Sequence, residues 1–306
     1  MSSSRWIGPL LAIVGTLGFS FKAILIKLAY AWHPIDATTL LALRMLYAAP
    51  VFLAMAWWAS RGATPVSRPD LLRLVWLGLV GYYLASLLDF AGLKYITAAL
   101  ERLVLYLYPT MVVLLSAALY GKPVGRRALL ALALSYAGIV LVFWHELRVI
   151  GDTRSLAIGG SLVFASAFCY ALYLVGAGGV IERLGSMRFI ALAMLASTVF
   201  VLAQFLLTRP LGALDVPLRI HLLALAMAVL STVLPTWMIA EAIRRIGANT
   251  SSMVGSLGPV FTIGLGAMIL AEPTHAIQLA GAALVLAGVL LVSLKPKPGP
   301  TAPAQP

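Results

Sequence analysis

Lys22, Lys27, Arg44, Asp89, Glu101 and Arg102 stand inside otherwise apolar stretches of this sequence. A charged side chain in a low-dielectric surrounding is costly unless it pairs, faces a wet cavity or binds something, so each is a candidate for ion pairing, proton exchange or recognition of a charged solute. Lys22, Arg44 and Glu101 are expected to form a polar constellation that gates a cavity or binds a zwitterion or an anion. Glu101 and Arg102 are neighbours, about 100° apart around a helix, so only one can point straight into a central cavity. Glu101 is read as inward and Arg102 as turned to a neighbouring helix. The competing reading lets Lys27 and Asp89 snorkel to the interface while Arg44 and Glu101 pair to fix helix packing. Proton coupling through Glu101 or Asp89 is a minor alternative.

Tyr106, Tyr173 and Trp237 are candidates to line a site, with Ser256 in the S-L-G that precedes Pro259. Packing between helices or anchoring at an interface is the commoner fate of such rings. Pro109, Pro235 and Pro259 also fall inside apolar stretches. A proline lacks the N–H that would bond one turn back, so each frees a carbonyl and is a hinge candidate.

The elements that must carry these residues follow from composition. Of 306 residues, 62% are hydrophobic and only 10% charged, too little polar surface to wrap a soluble core. Ten apolar stretches, near 7–29, 37–59, 71–91, 97–120, 126–144, 157–177, 187–208, 219–240, 250–270 and 276–294, approach the roughly 20 residues that a spanning helix needs. The expectation is an all-α integral membrane protein with ten transmembrane helices. The first stretch carries Lys22 and is long for a cleaved leader, so it is read as a span. With Cys169 as the single cysteine, neither a disulfide nor a multi-cysteine metal site can form within one chain. No cofactor and no metal are expected.

The formal charge of +12 would suggest nucleic acid in a soluble protein, but here the basic residues fall at helix ends on alternate loops. With the N-terminus inside, the outer side holds only Lys94, Arg148, Arg154, Arg209 and Arg219, and the remaining loop lysines and arginines lie inside. The loop-charge rule then places both termini in the cytoplasm of a cell (inner) membrane. Residues 295–306, rich in proline and polar, are expected to be a disordered cytoplasmic tail.

Shifting the chain by 150 residues aligns Ile96 with Ile246, Ala98 with Ala248, Pro109 with Pro259, Pro123 with Pro273 and Gly138 with Gly288. Two halves, 1–150 and 151–294, would each hold five spans. An odd number makes the second half enter from the opposite side, giving two inverted five-helix repeats around a central cavity, a recurring plan of secondary transporters. The charges do not repeat: Lys22, Arg44, Asp89, Glu101 and Arg102 align with Leu172, Met194, Ile239, Ser251 and Ser252.

The stretches GLKYITAALERLVLYLYPTMVVLLSAALYGKPVGRRALLALALSYAGIVLV and AIRRIGANTSSMVGSLGPVFTIGLGAMILAEPTHAIQLAGAALVLAGVLLV resemble an EamA-type transporter of the drug/metabolite transporter superfamily. The resemblance implies ten helices around a cavity and export or exchange of small metabolites, often amino acids. Half two keeps a family-like acidic residue before proline at Glu272–Pro273, whereas half one has Lys122–Pro123, and both are read as loop anchors. The function expected is secondary transport of a small-molecule substrate by alternating access, in contact with membrane lipids. A lipid- or nucleotide-sugar-type carrier of the same fold is the alternative. A membrane enzyme is disfavoured because His33, His145, His221 and His275 fall in or near loops and no H-E-x-x-H occurs.

Overall fold

A computed structural model describes residues 4–121, 123–150 and 152–293 of the chain. Among the described residues there are no strands. Nine helices among the described residues are long and apolar enough to span a bilayer: α1 (Trp6–Trp32), α2 (Ala37–Ser60), α3 (Arg68–Gly92), α4 (Ala98–Tyr120), α5 (Arg126–Arg148), α6 (Thr153–Leu184), α7 (Ser186–Thr208), α8 (Leu218–Gly247) and α9 (Met253–Leu270). A shorter apolar helix, α10 (Ala276–Leu291), follows. This is the all-helical membrane fold expected of the sequence, and the expected tail at 295–306 lies outside the described residues. Two spans, α6 and α8, each run seven residues past their expected ends. The glycines of Leu174–Val180 do not stop α6, which runs to Leu184, where Gly185 at φ +79° ends it.

The helices sort into pairs: α5 with α10, α2 with α7, α1 with α8 and α9, and α6 with α3 and α4. Exchanging each of the first five helices with the one five places later turns this set of pairs into itself. In lipid, helices associate through close packing and hydrogen bonds rather than water exclusion, so small residues mark the tightest seams. A Cβ on Gly138 would lie 2.6 Å from the Gly281 carbonyl oxygen, and one on Gly288 2.6 Å from that of Ala131. The opposite surface is apolar, with Leu207 86% and Met268 83% exposed, as suits a face toward acyl chains.

Interruptions recur at the same 150-residue offset. The helical hydrogen bonding of α4 breaks at Tyr106–Leu107 and that of α9 at Ser256–Leu257. Pro109 and Pro259 follow at once, in the first turn of the segments Tyr108–Tyr120 and Gly258–Leu270. There a proline is tolerated because its N–H would be unsatisfied anyway. Both prolines therefore open new segments instead of kinking a continuous helix. A wider π-helical turn spans Gly78–Leu84 in α3 and Val229–Val233 in α8, with Pro235 just beyond the second. Left-handed caps close α4 at Gly121 (φ +63°) and α9 at Ala271 (φ +53°).

Candidate functional site

Four of the expected residues and one expected to reach the interface converge where α1 to α4 meet α8 and α9. Lys22 Nζ, on α1, lies 2.6 Å from Asp89 Oδ2 on α3 and 3.5 Å from Glu101 Oε1 on α4. Glu101 Oε2 is 3.9 Å from Arg102 Nε. Asp89 is 1% and Glu101 0% exposed, so the reading in which Asp89 snorkels is overturned. Its position on the last turns of α3 faces α1 rather than solvent, and Lys22 supplies the cation that a buried carboxylate needs.

Glu101 and Arg102 sit on the first segment of α4, Ala98–Leu105, whose start is capped twice. The Thr97 side chain accepts from Leu100 N at 3.2 Å, and Glu272 Oε1 accepts from Ala98 N at 3.0 Å. Two orphan donors of the helix start are thereby satisfied, one of them by a residue of the other half of the chain. Glu272 is thus more than a loop anchor, while Lys122, its partner in the repeat, lies outside the described residues. Arg102 turns to neighbours, as expected: its Nε donates to Thr262 Oγ1 on α9 at 3.1 Å and its Nη2 to the Phe19 carbonyl on α1 at 2.7 Å.

Arg44 does not pair with Glu101. Its Nε donates to Thr232 Oγ1 at 3.0 Å, and its guanidinium carbon stands 5.5 Å from the Phe90 ring centroid. Thr232 lies in the π-helical turn of α8 and donates back to the Met227 carbonyl, five residues earlier, at 3.0 Å. Such turns recur at functional sites because they redirect a side chain out of helical register.

A second group crosses between the two broken helices. Pro259 cannot donate to the carbonyl of Gly255, and Tyr106 of α4 does so instead, Oη to O at 2.6 Å. Ser20 of α1 donates to the Gly258 carbonyl at 3.1 Å. Ser256, which aligns with Tyr106, turns to its own helix at Met253 O, 2.6 Å. From Tyr106 the rings of Tyr108, Tyr170, Tyr173 and Tyr82 follow one another, with centroids 5.0 to 6.2 Å apart. Tyr173 belongs to this packed row, bonded to the Tyr82 hydroxyl at 3.0 Å, and Trp237 joins neither group, being 51% exposed on the outer surface.

One turn beyond Lys22, at the end bearing Trp32, the Lys27 ammonium donates to the Ile96 carbonyl at 3.0 Å. Lys27, Tyr30, His33, Leu93 and Lys94 help line a recess of about 410 Å³ there. Around the same end, Gln278 donates to Glu146 at 2.7 Å and the rings of His145 and His275 meet edge to face at 4.7 Å. Asp36 caps α2 by accepting from Thr38 N and Thr39 N and is 3.1 Å from Arg209. Partial burial pushes its carboxyl up, but the bonds from Thr39 and Arg209 outweigh this and hold it below the usual range.

The EamA-like transporter family matches this sequence twice, over residues 6–144 and again over 157–294. The chain belongs to that family. The uncharacterized transporter YcbK of Bacillus subtilis is 30% identical over 90% of this chain and 88% of its own. The uncharacterized transporter sll1319 of a Synechocystis strain is 22% identical over 96% of this chain and 95% of its own. A solved crystal structure superposes with a TM-score of 0.64 at 19% identity, over 94% of this chain and 97% of that one, a likeness of fold alone. In this EamA-like transporter, Lys22, Arg44, Asp89, Glu101 and Arg102 all fall within the first match, and Thr232, Gly255 and Thr262 within the second.

Thr232, Thr262, Ser20 and Tyr82 escape a reading based on charge. Thr232 and Thr262 each lie three residues from a proline, Pro235 and Pro259, and that placement is their signal, whereas Ser20 and Tyr82 carry none.

Proposed function

We propose that this transporter is a secondary carrier of small polar metabolites, amino acids foremost, which it exports or exchanges by alternating access. The observation that carries this reading is the charge cluster of Lys22, Asp89, Glu101, Arg102 and Arg44, buried where helices of the two halves meet. Charges at such depth persist where they serve an ion or solute pathway. Two inverted five-helix halves, 1–150 and 151–294, are supported by the matched breaks, the two-fold exchange of helix pairs and the doubled family match. Such halves can rock about a midplane site. The lysine and arginine bias supports both termini on the cytoplasmic side of the cell membrane. Pro109, Pro235 and Pro259 adjoin the segments that would bend, and Tyr106 spans the break in α9.

The test is counterflow in proteoliposomes: vesicles loaded with unlabelled amino acids take up each labelled one, against protein-free vesicles. Saturable exchange abolished by Glu101→Gln supports the reading. Exchange no greater than in empty vesicles, across amino acids and other small metabolites, refutes it.

A further inference from the structure

We infer that Arg44 is the receptor for a carboxylate group of the transported solute. This rests on the carrier reading above and names the chemistry its site would recognise. Arg44 is 7% exposed, its Nη1 is buried without a hydrogen-bond partner, and none of the ion pairs among the described residues includes it. Every other cation of the cluster is engaged. Lys22 is held between Asp89 and Glu101, and Arg102 is spent on Thr262 and the Phe19 carbonyl.

A guanidinium taken from water without a carboxylate is strongly destabilising unless a partner arrives in function. Its Nε is fixed by Thr232 and its guanidinium carbon stands 5.5 Å from the Phe90 ring centroid, so the terminal nitrogens are held at little further entropic cost. A planar fork with free terminal nitrogens matches the two oxygens of a carboxylate. The cluster holds three cationic side chains against two carboxylates, so it lacks one negative charge. One monoanionic group supplies it. A phosphate dianion would leave a charge over, with no second free cation in the cluster among the described residues to meet it.

The test uses full-length protein and solutes in matched threes: an amino acid, its amide, which lacks the carboxylate, and the deaminated acid, which lacks the ammonium. Thermal unfolding in detergent reads binding, and counterflow in proteoliposomes reads transport. We expect amino acids, deaminated acids or both to raise the unfolding midpoint of the wild type, and amides not to. Arg44→Lys keeps the charge and loses the fork. It should weaken carboxylate binding about tenfold to a hundredfold, the worth of one charge-assisted hydrogen bond or more. Arg44→Gln should abolish it, and the Lys variant guards against misfolding of the Gln variant.

Binding that requires the carboxylate, without counterflow, would keep this inference and sink the carrier reading. Counterflow in which amides compete as well as acids, unchanged in Arg44→Lys, would do the reverse. No stabilisation by any carboxylate, together with no exchange, would overturn both. If acids serve without their ammonium, the solute is a simple organic acid; if only the zwitterion serves, Asp89 or Glu101 shares in holding its amine.

Discussion

At residues 106–107 and 256–257 the chain interrupts a helix, begins another at a proline and ends it thirteen residues later in a left-handed cap. The backbone repeats, but the company it keeps does not. The break in α4 lies one turn beyond Glu101 and Arg102, and its Tyr106 reaches across to the opposite helix. The break in α9 offers only carbonyls, which Tyr106 and Ser20 take up, and its own Ser256 folds back. A duplicated scaffold can thus leave one copy to carry charge and the other to accept contacts. The asymmetry of side chains, rather than that of the fold, is what gives such a site polarity.

The largest test of that contrast is Lys22→Met against Leu172→Met at the matched place. Removing Lys22 leaves Asp89 buried without its cation and Glu101 with only Arg102 at 3.9 Å, and a buried pair broken on one side costs about 3–5 kcal/mol. The matched apolar swap should cost less than about 1.5 kcal/mol. Unfolding midpoints in detergent decide, and equal effects would erase the distinction between the halves. Tyr106→Phe comes next. It strands the Gly255 carbonyl, at about 1–3 kcal/mol, whereas Ser256→Ala removes only a bond back to its own helix, worth a few tenths by the same melt.

Helix starts offer a third contrast, because α2 opens on the Asp36 cap while α7 opens at Gly185 with no side-chain cap. Asp36→Ala should cost roughly 1 kcal/mol. Because the folded carboxyl is held below its ordinary value, its contribution is complete above about pH 3.9 and fades as pH falls through the lower folded value. A stability titration of wild type against Asp36→Asn should lose its difference across that acid window alone. The smallest test swaps the caps. Gly121→Ala should destabilise by roughly 1 kcal/mol, and Ala271→Gly should recover less, since glycine also loosens the unfolded chain.

Much of this was legible beforehand because lipid simplifies the code. Span number, the 150-residue repeat and the paired prolines follow from hydropathy and identity alone. The charges announced themselves by standing where charges are costly. What the sequence withheld was azimuth: in a helix apolar all round, no polar face tells which way Trp237 or Asp89 points. Trp237 therefore resembled a lining residue and lies outward, while Asp89, three residues before the end of α3, resembled a snorkelling one and lies inward. The choice of Lys22 over Arg44 as partner to Glu101 depends on how α1 packs on α4. The π-helical turn that brings Thr232 to Arg44 adds a residue to a turn, which breaks the periodicity that sequence reading relies on.

The excess positive charge left by Arg44 has an electrical consequence. A solute that brings one carboxylate and no ammonium would make the loaded site neutral and the empty site cationic, so the membrane voltage would act on the return stroke alone. A unit charge crossing the full field gains about 2.3 kcal/mol per 100 mV. With the cell interior negative, that pull would draw the empty site of such a carrier back toward the cytoplasm and would bias its cycle toward export of acids, while zwitterions would run by their gradients.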